Sequence, residues 1–285
     1  MQRIVLLIMS IFILVTGCNR NEESVKYDAS KEYFKTFEKY GEIHNQFLSN
    51  LQDNFNPDIQ EVTTLSEGIQ RINQFNLKYT ATLNIPEEEK KLLCDELTKM
   101  KHFVYTPLMY DELFCIKTRN TDGSEVEGYY LEYIQEAYRN ELIDFFEYEK
   151  LLLLGEKAKA NISGTVTNDE FETFIYKVKE EWLIQGYTEE SKYGKTLAYA
   201  LSISLASIEW WQINTDALPQ TRALPAAIAL DAAGAAIGAV IGAVSSYAGN
   251  GEVNWTSVGV SAVGGAITGS LGMVGKAAKW LSKLF

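Results

Sequence analysis

Histidine and cysteine are nearly missing from this chain, and positive charge is scarce. Only His44 and His102 carry an imidazole, and the cysteines are three: Cys18, Cys94 and Cys115. Tetrahedral zinc sites draw on these two residue types, and the usual serine-based relay needs an imidazole, so zinc binding and His-centred hydrolysis have almost no raw material. No metal, no cofactor and no catalytic residue is expected. Lysine and arginine total 26 against 38 acidic residues, a net charge of −12, and no local basic patch supplies the footprint that nucleic acid requires. Nucleic acid is therefore not an expected partner. Apolar residues, by contrast, make up 46% of the 285 residues, which allows a sizeable core in one large or two ordinary domains.

The chain opens with Met1-Gln2-Arg3, continues with an uncharged run from Ile4 to Val15 and reaches Thr16-Gly17-Cys18. A positive start, an apolar middle and a small-residue end are the parts of a secretory signal, and the middle is too short to span. Val15-Thr16-Gly17-Cys18 resembles the bacterial lipobox, in which small residues precede a cysteine that becomes diacylated and opens the mature chain. The resemblance implies a signal peptide over 1–17, a lipidated tether over 18–27 and acylation of Cys18, for example by palmitate. Each buried methylene contributes about 0.8 kcal/mol, so two or three acyl chains hold a protein on a bilayer. Asn19 stands where aspartate favours inner-membrane retention in many Gram-negative bacteria, and Glu22-Glu23 resembles the surface-export signals of some Bacteroidetes lipoproteins. The outer membrane, on its periplasmic or surface face, is the expected location. Once Cys18 carries lipid, Cys94 and Cys115 remain in a compartment where disulfides persist. A bridge between them would close a loop of about 20 residues and add about 3 kcal/mol; two free thiols beside Leu93 and Phe114 fit a helical core equally well.

From about Asp28 to Thr215 helical periodicity dominates, so the expected fold class is mainly α: an acidic, amphipathic helical body over 28–215 with one small β-hairpin. A first helix is expected over Ser30 to Leu51, where Tyr33, Phe37, Tyr40, Phe47 and Leu51 share a face with His44. With no second ligand at helical spacing, His44 reads as a packed histidine. Another helix starts at Pro86, with Glu87, Glu88 and Glu89 against the positive end of the helix dipole and a stripe of Leu92, Leu93, Leu97, Met100 and Val104. The Asp122-Gly123 pair predicts the turn of a hairpin between Phe114 and Tyr130. A calcium loop is the competitor there, but Thr118 and Tyr129 stand where the ligand rule needs carboxylates. One long helix is expected from Tyr129 to Leu154, closed or bent at Gly155, and another from Thr167 to Asp169 onward with Phe171, Phe174, Ile175, Val178 and Trp182 as its stripe. Lys192 to Ile213 is more apolar. The pairs Glu132 with Glu136 and Glu180 with Glu181 read as solvated faces rather than as acid and base.

At Leu224 the composition changes to alanine, glycine, valine, isoleucine and serine. Asp231 and Glu252 are then the only acids and Lys276, Lys279 and Lys283 the only bases. A glycine-rich turn at Tyr247 to Glu252 separates two apolar arms, which predicts a C-terminal helical hairpin within 216–285. Gly234, Gly238 and Gly242 form a row in the first arm; Ser261, Gly265 and Gly269 form one in the second, with Gly264, Thr268 and Gly272 adjacent. Rows of small residues let backbones approach closely, and glycine at about 0.8–1 kcal/mol below alanine is a burden in a helix without that contact. The arms are about 36 Å and 26 Å long, bracketing the ~30 Å of a bilayer's hydrocarbon. Trp255 and Trp280 are expected interface anchors, with Lys276, Lys279 and Lys283 making the basic end amphipathic.

A lipobox with such a hairpin resembles the glycine-zipper envelope lipoproteins, of which the rickettsial surface antigens are one family, and implies a non-enzymatic envelope protein whose hairpin inserts into or assembles on a membrane. An apolar hairpin behind amphipathic helices is also similar in layout to colicin-type pore-formers, which implies an antibacterial pore assembled as a homo-oligomer through Gly234, Gly238 and Gly242. The third reading is an interaction scaffold whose hairpin is buried by its own body. Membrane lipid is the expected partner, and no residue pattern identifies a protein partner.

Overall fold

A computed structural model describes residues 2–56, 65–100, 118–119, 125–126, 129–214 and 223–270, with side chains in the first helix described from Ser24 on. The described residues are mainly α. Helix α1 is Gln2–Asn54, α2 Leu65–Thr80, α3 Glu87–Met100, α4 Tyr129–Arg139, α5 Phe145–Ile162, α6 Asn168–Gln185, α7 Lys195–Ile213, α8 Ala223–Asn250 and α9 Trp255–Ser270.

The expected β-hairpin is not seen as an element of extended arms. Only two rungs pair there, Thr118 with Val126 and Arg119 with Glu125; an isolated ladder of this length is too short to stand alone, and the expected turn at Asn120 to Ser124 lies outside the described residues.

The single helix expected from Tyr129 to Leu154 is two. Helix α4 ends in a Schellman turn, with the Leu142 N–H on the Ala137 carbonyl at 2.9 Å, the Glu141 N–H on the Tyr138 carbonyl at 3.0 Å and Glu141 at φ +53°. Two residues later Asp144 begins α5 with a capping box, accepting from the Glu147 N–H at 2.9 Å. Periodicity runs through this break unchanged, whereas the cap residues mark it. Gly155 neither closes nor ends α5, which continues to Ile162. Helix α6 starts as expected, with Thr167 accepting from Glu170 N–H in a second capping box.

Helix α1 presents Phe34, Phe37, Tyr40, Phe47, Leu48 and Leu51 to the core, while the charges at Lys31, Glu32, Lys35 and Glu38 face water. Trp182 of α6 lies against Tyr33, Phe34 and Phe37, and its indole N–H reaches the Gly194 carbonyl at 2.7 Å. The apolar hairpin sits at the centre of this assembly. Helix α8 is flanked by α4, α5, α7 and α9, and α9 by α1, α3 and α7. The composition boundary near residue 215 is thus no packing boundary, because residues on both sides share one core.

Candidate functional site

The two arms of the hairpin meet through the residues that have least side chain. A Cβ added at Gly234 would run into the Gly265 carbonyl, one at Gly238 into the Ser261 carbonyl, and one at Gly269 into the Leu230 carbonyl. Gly242 lies against Ser261, whose Cβ would be 2.9 Å from an added methyl. The rows Gly234, Gly238, Gly242 and Ser261, Gly265, Gly269 therefore face each other in antiparallel register. Neither row is left open for another chain. Of the remaining expected site residues, Trp255 opens α9 half-buried, with the Lys195 ammonium 5.1 Å from its ring. Cys94 is a half-buried free thiol on α3. Cys18 lies within α1 ahead of the described side chains, while Cys115, Gly272, Lys276, Lys279, Trp280 and Lys283 lie outside the described residues.

Helix α8 contains the stretch Ala226–Asn250, long and apolar enough to cross a membrane, and 94% of its most apolar part is buried inside the protein. That burial has one polar exception. Asp231, fully buried, accepts a hydrogen bond from Ser207 Oγ at 2.6 Å and another from Trp211 Nε1 at 2.9 Å, both on α7. Its second oxygen lies 3.4 Å from Nε2 of fully buried His44 on α1, a contact longer than an ordinary hydrogen bond. The other imidazole nitrogen is 3.2 Å from Asn45 Oδ1, and the Asn45 amide donates to the Ala206 carbonyl at 2.8 Å. Serine, histidine and aspartate thus converge, but not as a nucleophilic relay: the serine donates to the carboxylate instead of the imidazole, and none of the three is exposed. His44 is a packed histidine, as its isolation in the sequence implies. Ser207 and Trp211 as the donors to Asp231 are not legible from the sequence; the one available signal is the lone acid itself in an apolar arm, which must find donors if buried.

A second buried carboxylate joins α5 to α7. Glu147, besides serving the capping box, accepts from the Leu197 N–H at 3.1 Å at the start of α7. Gly194, at φ +96°, precedes that helix and offers no side chain to cap it; Glu147 supplies the cap from another helix. Burial pushes its carboxyl up to about 7, against the pull of the Gly194 and Leu197 N–H donors, and the charge of Asp144 adds to the rise. Asp144 in turn accepts from the Tyr187 hydroxyl at 2.5 Å.

Two surface hollows among the described residues hold no comparable convergence. One of about 510 Å³ runs along α1 past Glu42, Asn45, Ser49 and Asp53, and one of about 280 Å³ lies between α3 and the hairpin at Glu96, Ile241, Ser245 and Asn254. Glu132 and Glu136 are exposed, whereas Glu180 accepts from Tyr27 at 2.7 Å and Glu181 pairs with Lys150 at 2.9 Å. Among the described residues no group of three or more His, Cys, Asp or Glu could hold a metal ion. Comparison of the chain with protein-family models, curated proteins and solved structures finds no match.

Proposed function

We propose that this chain is a non-enzymatic lipoprotein of the bacterial envelope, held to the outer membrane through Cys18, whose C-terminal hairpin passes from the shelter of its own body into or onto a membrane. The observation that carries this reading is the difference between two kinds of contact around the hairpin. Between the arms, backbone touches backbone at Gly234, Gly238 and Gly265, so these contacts travel with the hairpin wherever it goes. Toward the body the hairpin presents Ala, Val and Ile side chains, and lipid tails are as apolar as the residues they would replace. The length of Ala226–Asn250 matches a bilayer. Membrane lipid is the partner this reading requires. A homo-oligomer of inserted hairpins would need other faces than the glycine rows, which the two arms use on each other.

Incorporation of labelled palmitate by the full chain should vanish in Cys18→Ala. When residues 1–18 are replaced by a cleavable signal that is not lipidated, the released chain should stay in the pellet after carbonate extraction of envelopes. A chain found wholly in the supernatant would leave the hairpin a permanent core element and the protein an interaction scaffold.

The enclosure of the hairpin by helices favours a second reading, a pore-former of colicin-like layout. Dye release from vesicles by the protein, abolished by Gly238→Leu, would support a pore over an anchor; vesicles that stay sealed would remove it.

A further inference from the structure

Exchange of the body for a bilayer is nearly neutral for most of the hairpin's surface. An aliphatic side chain leaves apolar neighbours and meets apolar neighbours, and the hydrophobic effect does not discriminate between the two. Asp231 is different. Inside the body its carboxylate has the Ser207 hydroxyl at 2.6 Å, the Trp211 indole N–H at 2.9 Å and the His44 imidazole at 3.4 Å. Hydrocarbon offers none of these donors, and an aspartate is among the costliest residues to insert, more so the deeper it lies.

We propose that the His44, Ser207, Trp211 and Asp231 cluster is an autoinhibitory clasp: it makes the body the preferred surroundings of the hairpin, and its opening commits the hairpin to the membrane. This inference rests on the reading that the hairpin enters a membrane. Three features of the cluster fit the role. It joins three helices at one point, since His44 belongs to α1, Ser207 and Trp211 to α7, and Asp231 to α8. Helix α1 and helix α7 are themselves tied beside it, through the Asn45 amide on the Ala206 carbonyl and the Trp210 indole on Ser49 Oγ at 2.8 Å, so the donors are held by bonds that do not involve the hairpin. One joint is also loose. His44 Nε2 and the facing Asp231 oxygen have no closer polar partner among the described residues, so this contact holds less firmly than the two from α7. Hydrogen bonds to a buried charge discriminate strongly between having and lacking a partner, so a single such cluster suffices to set the preference of an otherwise indifferent hairpin.

The test follows the hairpin in the full-length lipidated protein on vesicles of phosphatidylethanolamine and phosphatidylglycerol. A bimane on Ile241→Cys, in a Cys94→Ser and Cys115→Ser background that keeps only the lipidated Cys18, reports insertion through quenching by a doxyl group on the lipid tails. Asp231→Leu should raise the ratio of inserted to sheathed protein by about tenfold or more, the factor that corresponds to about 1.4 kcal/mol. Trp211→Phe, which leaves the hairpin sequence untouched, should raise it by less. Ile175→Ala, in the fully buried stripe of α6, a helix that supplies none of the four cluster residues, should destabilise the body and leave the ratio below that of either clasp variant at a matched thermal midpoint. If insertion follows the thermal midpoint alone, with Ile175→Ala on the same line as the clasp variants, the clasp is overturned while membrane entry stands. If even Asp231→Leu never meets the quencher, membrane entry itself is overturned and the clasp falls with it.

Discussion

Among the described residues, two helix pairs approach closely, and they are held in different ways. In the hairpin, α8 and α9 meet along rows of glycine and serine, with carbonyl groups where side chains would otherwise be. Between α1 and α7 there is also a small-residue contact, where a Cβ at Gly41 would lie 2.6 Å from Ala206 Cβ and 2.8 Å from the Ser202 carbonyl. That seam, however, is wired by polar side chains: Ser202 Oγ donates to the Phe37 carbonyl at 3.0 Å, Asn45 to Ala206 and Trp210 to Ser49. Along the glycine rows shape holds the first pair, with the Asn254 N–H on Ser246 Oγ at 2.7 Å joining its closed end, and directed bonds along the seam fix the register of the second. A pair held by shape keeps its contacts in water-excluded surroundings of any kind, whereas a pair held by hydrogen bonds is specific to the partner that supplies them.

The sharpest break of this contrast is Gly238→Leu. Its side chain would meet the Ser261 carbonyl and Ala262 Cα, backbone that cannot swing aside, so a loss of about 3 kcal/mol or more is expected in denaturant unfolding. Next in size is the pH dependence that Glu147 gives the start of α7. Its folded pKa of about 7 lies above the ordinary 4.5, so between these values the folded state holds the proton that the unfolded state has lost. The stabilising contribution is complete below about pH 4.5 and disappears as pH rises through about 7, a change on the order of 3 kcal/mol. Unfolding free energies measured across that window should fall with rising pH, and Glu147→Gln should flatten the slope.

Smaller again, Asn45→Ala removes one wire of the α1 and α7 seam and should cost about 1–2 kcal/mol, while hydrogen exchange within α8 and α9 changes less than exchange along the seam. The smallest effect has the opposite sign. Nothing lies within 4 Å of a Cβ at Gly249, so Gly249→Ala should stabilise by about 0.5 kcal/mol through helix propensity alone. A thermal midpoint that drops in Gly249→Ala as it does in Gly238→Leu would mean that position along the arm, not contact, decides.

Much of this was legible in the residues. The aromatic stripe of α1, the acidic first turn of α3, the Thr167 cap and both small-residue rows follow from spacing, because helix faces repeat with the chain's own period. The break at Asn140 to Asp144 was legible too, but in the wrong signal: the apolar steps run on through it, while Asp144 and Glu147 mark a capping box. Gly41 gave no warning of its seam, since a single glycine has no row to announce a close approach. Nor did Glu147 distinguish itself from the other acids of an acidic helical body; only the uncapped start of α7, fifty residues away, gives its carboxyl a task.

The sequence by itself determined that the chain is mainly helical, which faces of its aromatic stripes are apolar and that two arms near the C-terminus could press their small rows together, for these depend on residues a few positions apart. Only the tertiary structure decided that the hairpin lies at the centre of the body, and that Asp231 ends among His44, Ser207 and Trp211. A buried carboxylate must find donors, but which distant helix brings them is a property of packing, and no local pattern encodes it.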